Sequence, residues 1–594
     1  MAQQVKVIID MEGGKILRRC TYLKLDQDLF DHHRFELHVP YDELEDEQGL
    51  FMQAAQRNVC GKSVSLSFSS VDGKKTFGFR FKGIVTELVL SHPSDFTHEF
   101  IIKGGSPTLL MEDCSLKRSF LKKSLGQIFD VVLKSYPGNV LKTKGRPNNK
   151  NIRPFTVQYG ETNFAFLSRL SAAHGEWMYY NGQELIMGNP PVEKEVEFLI
   201  DGNQSFDFSV SMAPMKFSLH NYDYSKDRKY SSDASSVSVE GLGKMSLFAV
   251  EESANIFTQQ HIIQSMEVVG SQQVLDDFTK YRKASAVGGL VVFSGKGEIP
   301  DINLGSVVSV SASRPNKGGR GKQEDLGKYR VIQLAHLVNR KGNYTVQFTA
   351  IPDSVHFPPE NRLITQPAGK PELAVVTDNN DPDKMSRVKL SFGWEGGDSE
   401  SDWVRVGSFY SGGGDRLGVQ FIPEKDAQVM VGFEHGNPEF PFVLTSLYPR
   451  KEGMRARKGN NDEKLIYTRG GNIIALSDTE GNNNISISHV RNDATAIVLE
   501  FKENGTILLK TKGNINLEAG ENISISAKDK LSVSAGTVEI SATNELDIKG
   551  NSISLKADSG AEVTANTSIT LHGTTAELSG DAVTTIKGGL VKIN

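Results

Sequence analysis

The sequence has little cysteine: its 594 residues contain only Cys20, Cys60 and Cys114. An odd number at wide spacing argues against a disulfide framework and against a zinc site, and it predicts buried thiols in a cytosolic protein. The sequence also lacks an apolar run as long as a membrane-spanning helix, and its first residues contain no signal-peptide core. We therefore expect synthesis and assembly in the cytoplasm.

An excess of positive charge is absent as well, since the formal net charge is −5. This balance gives no reason to expect a nucleic acid as partner. Hydrophobic residues make up 38% and charged residues 23% of the chain, which is typical of soluble globular proteins. The length alone predicts several domains.

Residues 511–594 lack several residue types at once, because this segment has no arginine, proline, cysteine or aromatic residue. It contains 7 lysines and 10 acidic residues. Its apolar positions are mostly small and branched, which suits a narrow, tightly packed strand core.

The same segment is a repeat. Each unit alternates apolar, polar and apolar residues and continues through Gly, Asn or Asp, which predicts a short strand with one buried face, followed by a turn. Successive units begin 7 or 8 residues apart, and this fixed period indicates a repeat architecture. The apolar pairs are Ile515 and Leu517, Ile523 and Ile525, Leu531 and Val533, Val538 and Ile540, Leu546 and Ile548, Ile553 and Leu555, Ala561 and Val563, Ile569 and Leu571, and Ala576 and Leu578.

A strand this short cannot bury its own apolar face, and one strand per turn cannot close around a core. We therefore predict that three chains wind together and that the apolar pairs meet on a common axis as the trimer core. Residues 465–594 are expected to form this intertwined trimeric β-helix, the needle. It would be about 50 Å long if roughly ten repeats each rise by one strand spacing. A single-chain β-helix or a β-sandwich is the alternative.

The rest of the chain is predicted to be mainly β. Residues 1–360, the hub, indicate two β-barrel subdomains with helical insertions at residues 124–134, 161–173 and 272–282. A proline-rich boundary follows at residues 358–371. Residues 372–450, the collar, have strands of the number and length of a small five-stranded barrel, and a charged linker leads from there to the needle.

Sequence motifs in the hub, the collar and the last strand occur in a linked order. Residues 376–394 read VTDNNDPDKMSRVKLSFGW, and the collar continues with DWVRVGSFYSGGG and GVQFIPEKDAQVMVGFEHGNPEFPFVLTSLY. Residues 153–180 read RPFTVQYGETNFAFLSRLSAAHGEWMYY, and the chain closes on IKGGLVKIN. The collar and the closing segment resemble VgrG spike proteins of type VI secretion systems. Residues 153–180 resemble the hub segment that VgrG shares with phage late-control proteins.

This resemblance implies a trimeric puncturing spike of a contractile injection machine. The collar would be an OB-fold barrel, and three hubs would form a pseudo-hexameric ring on a hexameric, Hcp-like inner-tube protein and against the baseplate proteins. A PAAR-repeat protein would sharpen the needle, effectors would be carried non-covalently, and the spike would be ejected to the extracellular space or a target cell. The start of the sequence departs from the proteobacterial pattern. A phage-tail spike or an extracellular contractile-particle spike is therefore the alternative.

The docking surface for the PAAR protein is predicted at the end of the needle. The repeat is interpreted as breaking at residues 581–586, after which two glycines lead into a final strand. Three unpaired strand edges with exposed apolar ends would form a flat platform, which is a template for another chain. The predicted docking residues are Gly588, Gly589, Leu590, Val591, Lys592, Ile593 and Asn594.

Residues with catalytic or ligand chemistry are sparse, and we predict no catalytic residue, no cofactor site and no metal site. Asp31, His32 and His33 are interpreted as solvated turn residues, with a metal site as the alternative. His435 is interpreted as part of a turn between collar strands, and acidic residues 43–47 as a solvated surface run.

The linker between the collar and the needle is too short to hold an enzyme domain. A tail-associated cell-wall hydrolase is therefore a less favoured hypothesis than a structural spike. A fibrous surface adhesin is also less favoured, because the sequence shows neither a secretion signal nor an anchor.

Overall fold

The computed structural model describes residues 3–44, 51–92, 98–192, 194–200, 204–314, 322–394, 400–412, 418–448, 461–501 and 505–593. The chain divides into two compact units, residues 1–456 and residues 457–594, and each is described by itself. The first unit contains the hub and the collar, and the second contains the repeat.

Strands dominate the hub. They are β1 (Val5–Met11), β2 (Lys15–Leu17), β3 (Tyr22–Asp28), β4 (Arg34–Pro40), β5 (Ser63–Ser70), β6 (Thr76–Ser91), β7 (Glu99–Gly105), β8 (Leu116–Ser124), β9 (Thr143–Gly145), β10 (Ile152–Glu161), β11 (Met178–Tyr180), β12 (Leu185–Met187), β13 (Val196–Ile200), β14 (Ser205–Val210), β15 (Phe217–Asp223), β16 (Arg228–Asp233), β17 (His261–Gln264), β18 (Val291–Gly297), β19 (Val307–Arg314), β20 (Lys322–Val338) and β21 (Tyr344–Pro352). The helices are α1 (Phe51–Val59), α2 (Leu125–Leu133), α3 (Asn163–Ala173), α4 (Lys244–Ile256) and α5 (Gln272–Gly288).

The three predicted helices are confirmed as α2, α3 and α5. Helix α2 begins at a capping box, in which Ser124 and Gln127 each accept a hydrogen bond from the other's backbone N–H. Helix α4 is not predicted by the sequence, because its buried positions are Ser246, Ala249 and Ser253 and not large apolar residues.

One long strand joins the two halves of the hub. The first half of β20 pairs with β19, and its second half pairs with β3 near the start of the chain. Strand β21 pairs with β20 over residues 329–338, along the edge opposite β3. The two predicted groups of barrel strands are therefore hydrogen-bonded into one thirteen-stranded sheet, whose buried side chains form a single core cluster.

The collar is a five-stranded sheet, as predicted. Its strands are β22 (Glu372–Asp378), β23 (Lys389–Phe392), β24 (Arg405–Val406), β25 (Gln428–Phe433) and β26 (Pro441–Leu447), and they pair in the order β23-β22-β25-β26-β24. His435 lies in the turn between β25 and β26, which confirms its interpretation.

The second unit begins with an antiparallel meander that one chain forms alone. It consists of β27 (Glu463–Tyr467), β28 (Asn472–Ser477), β29 (Asn484–His489), β30 (Asn492–Glu500) and β31 (Thr506–Lys510). Beyond β31, over residues 511–593, the described chain contains no strand that pairs within the single copy. The intertwined trimer over residues 465–594 stays a prediction.

Two interpretations from the sequence are wrong. His33 is fully buried, with Nδ1 at 3.0 Å from the side-chain nitrogen of Gln27, and only 8% of the His32 side chain is exposed, so these are not solvated turn residues. Cys114 is exposed and not buried. Residues 45–47 of the acidic run lie outside the described residues.

Two buried histidines make the stability of the hub depend on pH. Burial lowers the pKa of His33 to about 3 and that of His336 to about 3. Between these values and the ordinary pKa, the unfolded state binds more protons, so stability falls as pH decreases below about 6.5. We expect a loss of about 2 kcal/mol per histidine at pH 5.

Urea unfolding at pH 7 and pH 5 measures this loss. His336→Gln should remove the part of the stability loss between pH 7 and pH 5 that His336 causes. His435→Gln, at an exposed collar position, should leave the stability loss unchanged. Equal stability of the wild type at both pH values would contradict the prediction.

Candidate functional site

The predicted period of the repeat is visible in the backbone. From residue 512 to residue 590 the chain bends every 7 or 8 residues, and each bend precedes the first apolar residue of a unit by two or three positions. Ile515, Ile523 and Leu531 follow the bends that begin at residues 512, 520 and 528. The sequence period is therefore also a structural period.

A single copy of the repeat has no core. All fourteen side chains predicted as large trimer-core residues are between 54% and 87% exposed. The polar residues between them are exposed as well. Fully burying a side chain of this kind is worth about 1.5–3 kcal/mol, so the repeat presents a large free energy of burial that one chain cannot realise. Exposed apolar side chains in every unit over this length indicate an interaction surface.

The repeat continues to its end. Bends at residues 581–582 and 589–590 keep the spacing, and Val583 follows the first of them in the usual position. The interpretation that the repeat breaks at residues 581–586 is therefore wrong. The predicted docking residues Gly588, Gly589, Leu590, Val591, Lys592 and Ile593 are exposed, and Asn594 lies outside the described residues.

The hub and the collar share an apolar core. Phe155, Val157 and Tyr159 of β10 pack in one cluster with collar residues that include Val376 and Val429. Strand β10, on which the hub motif of residues 153–180 begins, therefore forms part of the interior of the collar.

Buried charges cross the same boundary. Arg153 of β10 donates to Glu439 of the collar at 2.7 Å and lies 2.9 Å from Glu267 of the hub. Arg169 of α3 forms a two-pronged pair with Glu161, at 2.7 and 2.9 Å. Sequence reasoning did not find this cluster, because its members are spread over almost 290 positions and ion pairing leaves no periodic signal.

A third, less buried contact links the two parts. Glu372, at the start of β22, accepts from Lys117 at 2.5 Å and from the Tyr159 hydroxyl at 2.6 Å. Hydrogen bonds from these two partners outweigh burial, which acts in the opposite direction, so the pKa of Glu372 is lowered. One carboxylate here faces one ammonium group.

A cavity of about 500 Å³ lies between the hub and the collar. The Arg405 guanidinium of the collar lies 4.3 Å from the ring centre of Tyr224, which stands in the hub turn between β15 and β16. Arg405 also pairs with Glu434. Arg405 is thus already paired within the collar, and its contact with Tyr224 joins the collar to the hub.

Metal and membrane features are limited to what the described residues show. In those residues no group of three or more His, Cys, Asp or Glu side chains converges as a metal site would require. Over the same ranges, no helix combines the length and the apolar character needed to cross a membrane.

Two family models match the first unit. The phage tail baseplate hub model matches residues 47–341, and the model of the type VI secretion system/phage-baseplate injector OB domain matches residues 372–448. The chain belongs to the phage-tail hub and VgrG spike family. These matches confirm the resemblance and the mainly β fold with an OB-fold collar. They end before the repeat.

Curated members of the VgrG family are distant relatives. The type VI secretion system spike protein VgrG5 of Pseudomonas aeruginosa is 22% identical over 441 residues, which cover 64% of this chain and 52% of that protein. VgrG4b of the same organism is 30% identical over 166 residues, 25% of this chain and 20% of that protein. The chain thus spans about half the length of the first relative and less of the second.

Solved structures of the family share the fold. The half-lidded Francisella PdpA-VgrG complex matches with a TM-score of 0.55 at 10% identity and covers 86% of this chain and 89% of that one. The lidded form of that complex matches with a TM-score of 0.54 at 10% identity and covers 86% of this chain and 80% of that one. At this identity the likeness concerns the fold alone.

Proposed function

We propose that three copies of this chain form the puncturing spike of a contractile injection machine. The observation that carries the proposal is the repeat, whose fourteen large predicted core side chains are each more than half exposed in one copy. Three copies that wind together bury these side chains on a shared axis, as one copy cannot. The family membership of the hub and the collar supports the same function.

The partners follow from the two ends of the spike. Three hubs contact a hexameric, Hcp-like inner-tube protein and the baseplate, and the last strands of the repeat bind a PAAR-repeat tip protein. Effectors travel as non-covalent cargo. A solved VgrG from Francisella forms a complex with a protein called PdpA, which supports a spike that carries a partner. The spike acts mechanically, without catalysis, and leaves the cell on firing.

Deletion of the gene tests the function directly. Without the spike, the inner-tube protein should no longer reach the culture supernatant, and the wild-type chain should restore its secretion while Ile525→Asp should not. A deletion strain that secretes the tube protein at the wild-type level would refute the proposal.

Removal of residues 588–594 should abolish PAAR binding and leave the trimer intact. Most of the axial core lies before this segment, whereas the exposed apolar ends Leu590, Val591 and Ile593 lie within it. A pull-down with purified PAAR protein measures binding, and light scattering measures the mass. Full-affinity capture by the shortened trimer would place the docking surface elsewhere.

A phage-tail spike or an extracellular contractile-particle spike is the second candidate. The match of residues 47–341 to the phage tail baseplate hub model supports it. Identification of the sheath and tube genes beside this one distinguishes the two.

A further inference from the structure

The antiparallel meander of strands β27 to β31 has one apolar face. Cross-strand pairing places Ile474 of β28 opposite Ile487 of β29, and Ile487 opposite Ile497 of β30. The same register extends this row to Ile466 of β27 and Leu509 of β31. Because side chains two positions apart on a strand lie on the same face, a second row lies beside the first. We name the two rows the neck face, which consists of Ile466, Ile474, Leu476, Ile485, Ile487, Ile497, Leu499, Ile507 and Leu509.

The opposite face of the meander is mixed. Its middle strand presents Ser486 and Ser488, and the strands beside it add Ala475 and Ala496. Antiparallel sheets commonly bury their apolar face and leave the other face in water. In one copy, however, seven of the nine side chains of the neck face are between 38% and 75% exposed. The described part of one copy therefore forms the sheet but leaves the neck face uncovered.

The position of the neck face follows from the repeat, and this step rests on the proposed winding of three copies. Strand β31 ends at Lys510, and the first apolar residue of the repeat, Ile515, follows Leu509 by six positions. Even a fully extended chain spans no more than about 22 Å over six positions. Three copies that share an axis at Ile515 therefore bring the ends of their three neck faces within reach of one another.

The chemistry of the neck face fits copies of itself. All nine side chains are isoleucine or leucine, and none carries a charge or a hydrogen-bonding group. Three identical surfaces of this kind can contact one another without leaving a polar group unpaired, whereas a charged partner would lose hydration without compensation. The apolar side chains of the repeat are of the same kind, so the neck face extends the surface that the repeat presents to the axis.

We propose that three neck faces pack against one another about the axis of the spike, and that each chain keeps its own five-stranded sheet there. The needle then has two parts of different construction. A neck of three self-paired sheets over residues 463–510 is followed by the intertwined repeat, so intertwining begins after residue 510 and not at residue 465. The neck can form its backbone hydrogen bonds before the chains meet, because its strands pair within one copy.

A disulfide tests whether each chain keeps its own sheet. Ser486 of β29 and Val498 of β30 lie directly opposite each other on the face away from the axis, and such partners are close enough to be bridged. The full-length Ser486→Cys, Val498→Cys variant also carries Cys114→Ser, because Cys114 is exposed. After oxidation it should migrate as a single chain on a denaturing gel without reductant. Covalent dimers and trimers would show strand exchange between copies, and two thiols that stay free would contradict the pairing; either result would overturn the proposal.

A second pair of variants identifies what covers the neck face. Ile487 lies on the middle strand, where three-fold symmetry brings its three copies together, whereas Ser488 lies on the opposite face. Ile487→Cys and Ser488→Cys, each combined with Cys114→Ser, are treated with a short thiol-reactive cross-linker. We expect Ile487→Cys to give about tenfold more covalent dimer, because neighbouring thiols in one assembly have a high effective concentration. Equal yields would overturn the proposal and would place another part of the chain on the neck face.

The neck and the spike can fail separately. Light scattering on the wild type decides whether three copies assemble at all. A trimeric wild type in which Ile487→Cys does not cross-link would overturn the neck and leave the trimeric spike in place. A monomeric wild type would instead refute the trimeric spike, on which the neck rests.

Discussion

Ile525→Asp is expected to prevent assembly of the trimer. The substitution places three carboxylates in one layer of the proposed axis, where no side chain of the repeat offers a positive partner. Removing a single ion from water costs several kcal/mol, and here three like charges also repel each other. This cost per carboxylate is larger than the burial free energy that the substitution also removes, which is about 1.5–3 kcal/mol for each of the three isoleucines in the layer.

Light scattering on the full-length protein measures the result. The wild type should have the mass of a trimer, and Ile525→Asp should be monomeric or aggregated. Ser524→Asp adds the same charge one position earlier, on the face that the alternation directs outward, and should remain a trimer. A wild-type monomer, or a trimer that tolerates aspartate at Ile525 as well as at Ser524, would contradict the shared core.

The repeat could be predicted from the sequence because its information is local. A pair of apolar residues every 7 or 8 positions predicts the spacing of the bends, and the structure has the same spacing. The five collar strands and helices α2, α3 and α5 are local in the same sense. Helix α4 could not be predicted in this way, since small serine and alanine residues form its buried face.

Neither the contact between the hub and the collar nor the connection of the two hub halves could be predicted, because both depend on contacts between distant residues. Strand β3 pairs with β20 about 300 positions later in the chain. Arg153 lies within a recognisable motif, yet its partner Glu439 is 286 positions away, and an isolated glutamate has no signature. His33 illustrates the same limit, since two histidines after an aspartate suggest a solvated turn, whereas His33 is buried in the folded hub.

Arg153→Met is expected to destabilise the first unit by about 3–5 kcal/mol, the usual cost of leaving a buried charge without its partner. The methionine keeps most of the volume of the side chain, so the loss reports on charge and not on a cavity. Glu267 then keeps its negative charge at 16% exposure without the guanidinium that lay 2.9 Å from it. Urea unfolding at pH 7, followed by tryptophan fluorescence, measures the change.

Two further variants separate the ion pair from other effects of the substitution. Arg146→Met removes a guanidinium that is 74% exposed beside Asp130, and exposed pairs contribute only about 0–1 kcal/mol. The double variant Arg153→Met, Glu267→Gln should lose less stability than Arg153→Met alone, because the unpaired carboxylate is gone. If Arg153→Met costs no more than Arg146→Met, or if Glu267→Gln adds to its cost, the buried pair of Arg153 and Glu267 does not stabilise the first unit.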